Sequence, residues 1–141
     1  VIVSISLRGI VHATEDIEKV KRAIQNLVSM EVAIKETKMQ GHFGNPIIVL
    51  HINIEGKKAC EQFFKNLKTR LSLEDYQRLK EELPHRVDSD CYLYLRFDKQ
   101  ALFENQIELA SSEDAVALKA KIKAYPAKYE YALKAVRGIF S

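Results

Sequence analysis

Apolar residues alternate with polar ones along some stretches of this chain and recur every three or four residues along others. The chain should therefore mix half-buried strands with amphipathic helices. Residues 1–12, VIVSISLRGIVH, predict a first strand. Thr14 is placed to cap a helix whose apolar positions, Ile17, Val20, Ile24, Leu27 and Val28, follow the 3.6-residue period. EVAIKETK at 31–38 and IIVLHINIE at 47–55 read as a second and third strand, joined through Gly41-His42-Phe43-Gly44-Asn45-Pro46. Glycine supplies positive φ and the residue before proline is held extended, so this hexapeptide predicts a hairpin turn.

After Gly56 the period lengthens again. Ala59, Phe63, Phe64 and Leu67 mark a second helix, and Ser72 with Asp75 forms a capping-box variant that opens a third. Leu73, Tyr76, Leu79 and Leu83 should face inward from it, and Pro84 should end it. CYLYLRF at 91–97 is the next strand, DKQALFEN at 98–105 a turn or short helical piece, QIEL at 106–109 a brief strand, and VALKAKIKAY at 116–125 a strand of strict alternation. Pro126 falls where a first helical turn tolerates it, before a last helix with Tyr129, Ala132, Leu133, Val136 and Phe140 on its apolar stripe. This order predicts a single α+β domain over residues 1–141: two layers, with a mixed or mainly antiparallel sheet and helices packed on one face.

Strand side chains alternate between faces, so parity separates the side that meets the helices from the side that does not. The apolar parity holds Val1, Val3, Ile5 and Leu7; Val32 and Ile34; Ile48, Leu50, Ile52 and Ile54; Cys91, Leu93, Leu95 and Phe97; and Val116, Leu118, Ala120 and Ile122. The opposite parity holds Ser4, Ser6 and Arg8; Lys35 and Thr37; His51 and Asn53; Tyr92, Tyr94 and Arg96; and Lys119, Lys121 and Lys123, with Glu31 as the clear acidic exception. An open face of that composition suits RNA, because lysine and arginine neutralise phosphates and exposed rings stack unpaired bases. A solvated antiparallel sheet face also carries lysines and laterally packed tyrosines. Strand order and register decide whether these residues are neighbours at all.

Composition narrows the classes. At 141 residues, 47% hydrophobic and 29% charged, the chain has material for one globular core and is not a disordered or fibrous protein. Its longest apolar run is far short of the roughly 20 residues that span a bilayer, and no basic-then-apolar signal segment opens the sequence, so it reads as cytoplasmic. A net charge of +3 permits a polyanionic partner without demanding one. Cys60 and Cys91 make neither a disulfide framework nor a CxxC zinc pair and read as buried free thiols.

The familiar catalytic and ligand motifs are mostly missing. Gly41-His42-Phe43-Gly44 has the GxxG spacing of a KH-domain loop, but strands flank it and neither middle residue is basic. No GxGxxG follows a strand and no GxxxxGK[ST] occurs. His12, His42, His51 and His85 are scattered, and Asp88 with Asp90 reads as a turn in preference to a Mg²⁺ site. No cofactor or metal is expected; an RNA-processing enzyme would need His42, Asp88 and Asp98 to converge. Arg96-Phe97-Asp98-Lys99-Gln100 is different, since a strand ends there in polar residues. Asp98 can cap the turn or short helix after it, while Arg96, Lys99 and Gln100 at a sheet rim could reach phosphates or base edges.

Two of these stretches together, GHFGNP before a strand and RFDKQ before a short and then an alternating strand ending in Tyr125-Pro126, resemble an archaeal family of RNA-binding proteins and predicted exosome subunits. The resemblance runs in order over nearly the whole chain. It implies an α+β fold similar to that of the large-subunit ribosomal protein that binds 5S RNA, and a role in RNA processing or ribosome-linked work. The family's Gly-Asn-Pro turn corresponds to Gly44, Asn45 and Pro46, with Phe43 at its aromatic position, and its Asp-Lys-Gln to Asp98, Lys99 and Gln100. Where the family has a glycine shortly afterwards, this chain has Asn105, which also tolerates a left-handed backbone.

The leading expectation is a non-enzymatic RNA-binding module whose contacts are Arg8, Lys35, His42, Phe43, Asn45, Tyr92, Tyr94, Arg96, Lys99, Gln100, Lys119, Lys121 and Lys123. His42 and Phe43 are expected at a loop tip near the sheet rim. The competing expectation is an assembly subunit, a homodimer or a component of an RNA-processing complex, docking through the same face with Ile47, Val49, Tyr92 and Tyr94 as anchors.

Overall fold

The alternating stretches form one antiparallel sheet in the order β2-β3-β1-β5-β4, in a computed structural model that describes residues 1–41 and 43–141. Its strands are β1 (Ile2–Val11), β2 (Lys35–Gln40), β3 (Pro46–Glu55), β4 (Tyr92–Asp98) and β5 (Ala115–Ile122). The helices are α1 (Ile17–Val28), α2 (Lys57–Arg70), α3 (Leu73–Arg86), α4 (Lys99–Phe103) and α5 (Tyr129–Ile139). The fold is thus α+β as expected, and the sheet is antiparallel, not mixed. The first strand lies at its centre, between β3 and β5. Among the described residues no helix is long and apolar enough to cross a membrane.

Amphipathic spacing explains why the helices share one side. Val20, Ile24 and Leu27 of α1, Phe63, Phe64 and Leu67 of α2, Leu79 and Leu83 of α3, and Ala132 and Val136 of α5 join one core with Ile5, Leu7, Leu50, Ile52, Leu93, Leu95, Phe97, Val116 and Leu118 of the sheet. Aromatic edges tie the helices together: Phe64 meets Phe63 at 5.3 Å and Phe140 at 6.0 Å, and Phe140 meets Tyr76 at 6.2 Å, all near perpendicular. At Gly9 a β-carbon would come within 2.9 Å of Ile24 Cδ1, so the absent side chain sets how closely α1 lies on β1. Cys60 and Cys91 are buried free thiols.

Several local expectations shift, each for a physical reason. An irregularity in pairing between Ile2 and Ser4 flips the parity of β1, so Ile2 is buried while Val1 is 43% exposed and Val3 half-buried. Strand β2 begins at Lys35, not Glu31, which leaves Val32 and Ile34 in irregular chain packed against the core. Asp16 caps α1 in place of Thr14, accepting the Glu18 N–H at 3.0 Å. Ser72 does cap α3, accepting from Asp75 N–H at 3.1 Å, but the Asp75 carboxylate turns to the Leu109 N–H at 2.9 Å and Leu73 is 79% exposed.

Pro84 sits inside α3 and does not end it. Its carbonyl accepts the Tyr129 hydroxyl at 2.7 Å, and Arg86 two residues on pairs with Glu82 at 2.7 Å, so one tertiary contact and one i,i+4 pair hold the final turn. The brief strand at 106–109 reduces to one bridge, Phe97 to Leu109, and Pro126 lies in a bend before Lys128, the residue that flanks α5.

Asn105 does adopt the left-handed turn, with φ 57°. Its side-chain oxygen also accepts from Arg70, at 3.0 Å, while Arg70 donates at 2.6 Å to the Asn26 carbonyl and at 2.9 Å to Ser29 Oγ. One guanidinium therefore links α2 to the end of α1 and to the turn after α4. Asn105→Ala should destabilise the fold by about 1–3 kcal/mol because it strains the turn, and Asn105→Gly by about 1 kcal/mol or less because only the hydrogen bond goes. Urea titration of the two variants checks the order.

Candidate nucleic-acid interface

Cross-strand register turns the parity sets into a surface. On the side away from the helices, Lys35 lies opposite His51, His51 opposite Arg8, Arg8 opposite Ala117, and Ala117 opposite Arg96. This row crosses all five strands, and four inter-strand spacings put its ends about 19 Å apart. The next row, about 7 Å along the strands, reads Asn53, Ser6, Lys119 and Tyr94; the one beyond it reads Glu55, Ser4, Lys121 and Tyr92. Arg8, Lys35, Arg96 and Lys119 are exposed, and His51, Lys121 and Tyr92 are half-buried. Lys123, exposed just beyond β5, continues the same parity.

The tyrosines and lysines of β4 and β5 are already organised. Lys119 Nζ stands 4.2 Å from the centroid of the Tyr92 ring and 5.9 Å from that of Tyr94, and Lys121 Nζ stands 4.5 Å from Tyr92. Tyr94, 39% exposed, donates its hydroxyl to Asp88 at 2.8 Å, and the same carboxylate accepts the backbone N–H of Tyr92 at 2.9 Å and of Asp90 at 3.0 Å. Burial alone would raise the Asp88 pKa, but these donors and the nearby Lys119 hold it below the ordinary aspartate value. The Tyr94 phenol is raised, chiefly because its proton is held by Asp88. Asp88 and Asp90 thus form the expected turn, and that turn fixes Tyr94.

In the other direction the face becomes apolar. Thr37, Val49 and Ile10 form the next row, followed by Met39 opposite Ile47. Beyond them lies the hairpin turn, where Gly41 N–H donates to the Asn45 carbonyl at 2.6 Å, Gly44 N–H donates to the Gly41 carbonyl at 2.9 Å, and Gly44 has φ 79°. Asn45 is exposed and Phe43 is 86% exposed at the tip. The tip lies at an end of the β2–β3 edge hairpin and away from the basic row: the five steps from Lys35 to Gln40 alone are about 17 Å of strand. His42 lies outside the described residues.

The second correction concerns the Asp-Lys-Gln stretch. Asp98 caps α4, accepting Ala101 N–H at 2.9 Å. Lys99 is only 1% exposed, with Nζ 2.8 Å from Glu15 Oε1, 2.9 Å from Asp114 Oδ1 and 3.0 Å from the Ile10 carbonyl. Gln100 donates to Asp114 Oδ2 at 2.8 Å. Of the two expected rim contacts, Lys99 is instead buried in an internal network, whereas Gln100 is exposed and hydrogen-bonded to Asp114. Burial would raise the Asp114 pKa, but the hydrogen bonds from Gln100 and Lys99 hold it below its ordinary value.

The competing sets do not come together. Val49 is fully buried despite its outward parity, and Ile47 on β3 is three strands away from Tyr92 and Tyr94 on β4. Asp88 and Asp98 flank opposite ends of β4, separated by about 20 Å of strand. Among the described residues no group of three or more His, Cys, Asp or Glu side chains could hold a metal. Parity also showed His51, but only pairing revealed that it bridges Lys35 and Arg8. The acids on this parity are Glu55 and Asp98 at the strand ends, whereas Glu31 lies before β2.

A family model described as RNA binding matches residues 4–122, the stretch that includes β2 to β5 and all of β1 but its first two residues. The chain belongs to that RNA-binding family. It is 37% identical over 139 residues to RNA-binding protein PAB1135 of Pyrococcus abyssi, covering 95% of this chain and 90% of the relative. The crystal structure of AF2318 from Archaeoglobus fulgidus matches with TM-score 0.91 and 32% identity over 99% of both chains. Mth689 from Methanothermobacter thermautotrophicus, described as a DUF54 protein, matches with TM-score 0.85 and 34% identity over 99% of this chain and 98% of its own. Family membership thus accompanies both motifs, although Lys99 of the Asp-Lys-Gln part is buried.

Lys99→Ala leaves Glu15 and Asp114 without their cation and should destabilise by about 3–5 kcal/mol in urea titration. The depressed Asp114 carboxyl contributes stability above the ordinary aspartate range near ~4, and that contribution is lost as pH falls below it. Wild type should therefore lose stability more steeply below that range than Asp114→Asn, as pH-dependent melting would show.

Proposed function

We propose that this protein binds RNA across the open face of its sheet, without catalysis, as part of RNA processing or ribosome-linked work. The observation that carries the reading is the row Lys35, His51, Arg8, Ala117, Arg96, in which every strand contributes and no acid interrupts. The family and the relative named as an RNA-binding protein support the ligand class. The small Ala117 leaves a notch between two exposed arginines, and Lys119 and Lys121 beside Tyr92 bring cations and aromatic surface together. Phosphates would lie along the row and unpaired bases against the tyrosines of the neighbouring rows.

Filter titration with single-stranded and structured RNA at several salt concentrations tests this. For single strands, log affinity should fall against log salt with a slope of about 0.7 per phosphate neutralised. Arg8→Ala with Lys119→Ala should weaken binding and flatten that slope by about 1.4 if each contacts one phosphate. Lys99→Met, folded and below its melting point, should bind as wild type does. No binding at low salt, or unchanged affinity and slope in the double variant, would remove the sheet face from the reading.

The hairpin tip is a separate element. Phe43→Ala should leave the fold intact and weaken single-strand binding about fivefold or more if a base stacks on the ring. An unchanged affinity would confine the interface to the sheet.

A further inference from the structure

The two edges of the sheet are finished differently. Along β4, Asp98 N–H donates to the Glu108 carbonyl and Ala110 N–H to the Arg96 carbonyl, both at 2.9 Å; Arg86 donates to the Tyr94 carbonyl at 3.3 Å, and Val87 bridges Leu93. Strand β2 pairs with β3 on one side only, all six of its residues are exposed, and among the described residues no hydrogen bond from a loop or side chain covers its other edge. It contains neither a proline nor a register shift, two of the devices that blunt a free edge.

We propose that this edge pairs with the β2 edge of a second copy, antiparallel about a two-fold axis through Thr37. The charges select that register. Pairing about Thr37 sets Glu36 opposite Lys38 of the second copy, twice by symmetry, and Lys35 opposite Met39. An axis at Glu36 or at Lys38 places two like charges against each other, and an axis between two residues would oppose side chains that lie on different faces of the sheet. Glu36 and Lys38 share the helix side of the strand, where Glu36 already contacts Lys21 of α1. Met39, 47% exposed in the single chain, comes to lie along the Lys35 stem.

Lys35, Thr37 and Met39 remain on the open side, so two sheets joined in this way present one surface. Its two basic rows run in opposite directions and are displaced by four residues, about 13 Å. The pairing itself does not depend on what that surface binds.

Sedimentation and light scattering over a concentration series, without RNA, test the proposal. Wild type should reach twice the single-chain mass, and Glu36→Lys and Lys38→Glu should each weaken association about tenfold through two like-charge contacts. Mixed in equal amounts, those two variants should recover wild-type association, since each cation then faces an acid. Thr37→Cys should form an interchain disulfide on mild oxidation, because directly opposed residues have Cα atoms about 5 Å apart. A wild type that stays at single-chain mass, charge variants that associate as wild type does, or no Thr37→Cys cross-link would each overturn it. RNA titration of the same samples reads the open face separately.

Discussion

A buried ammonium group cannot be left without counter-charge, and the burial of Lys99 constrains much of this molecule. Its Nζ meets the carbonyl of Ile10 at the end of the central strand, Glu15 in the loop before α1, and Asp114 just before β5. The 10–15 stretch, the start of α4 and the residue before β5 are thereby brought to one end of the sheet. Asp98 caps α4 one residue earlier and Gln100 holds the second oxygen of Asp114 one residue later, so the Asp-Lys-Gln stretch acts as a unit. Arg70 does related work nearby, where its guanidinium joins the end of α1 to the turn at Asn105.

These networks also shape the outer charge distribution. Glu15 and Asp114 face Lys99, Glu82 faces Arg78 and Arg86, Asp75 and Asp98 accept backbone donors, and Asp88 holds Tyr94. These acids work in internal pairs, caps and turns. The cations of the central sheet rows, Arg8, Arg96, Lys119 and Lys121, have no carboxylate partner among the ion pairs of the described residues, although Arg96 donates to the Ser112 carbonyl and Lys121 to that of Asp90. A net charge of only +3 is therefore compatible with cations gathered along the central row of the sheet.

Much of this architecture is legible from alternation and helical spacing. The runs at 47–55, 91–97 and 116–125 became β3, β4 and most of β5, and the cap at Ser72 and the left-handed turn at Asn105 followed from side-chain chemistry. Lys99 escapes such a reading because a lysine after a strand looks like a rim residue, and its two counter-charges lie 84 and 15 positions away. The position of the loop tip escapes it because a turn signal says that the chain reverses but not how far along the sheet. Val1 and Val3 look inward-facing because simple alternation contains no sign of the irregular pairing after Ile2.

What the sequence by itself determined is most of the elements and the apolar side of most of them, because these depend on neighbours within about four residues. Strand order, register and the burial of Lys99 were decided only by tertiary structure. Parity placed Arg8, His51, Lys35 and Arg96 on one face, but inserting β5 between β1 and β4 set Ala117 between two arginines, and antiparallel pairing with β3 put His51 beside Arg8. Those neighbours are joined by backbone hydrogen bonds between strands distant in sequence, and no local pattern encodes which strands will meet.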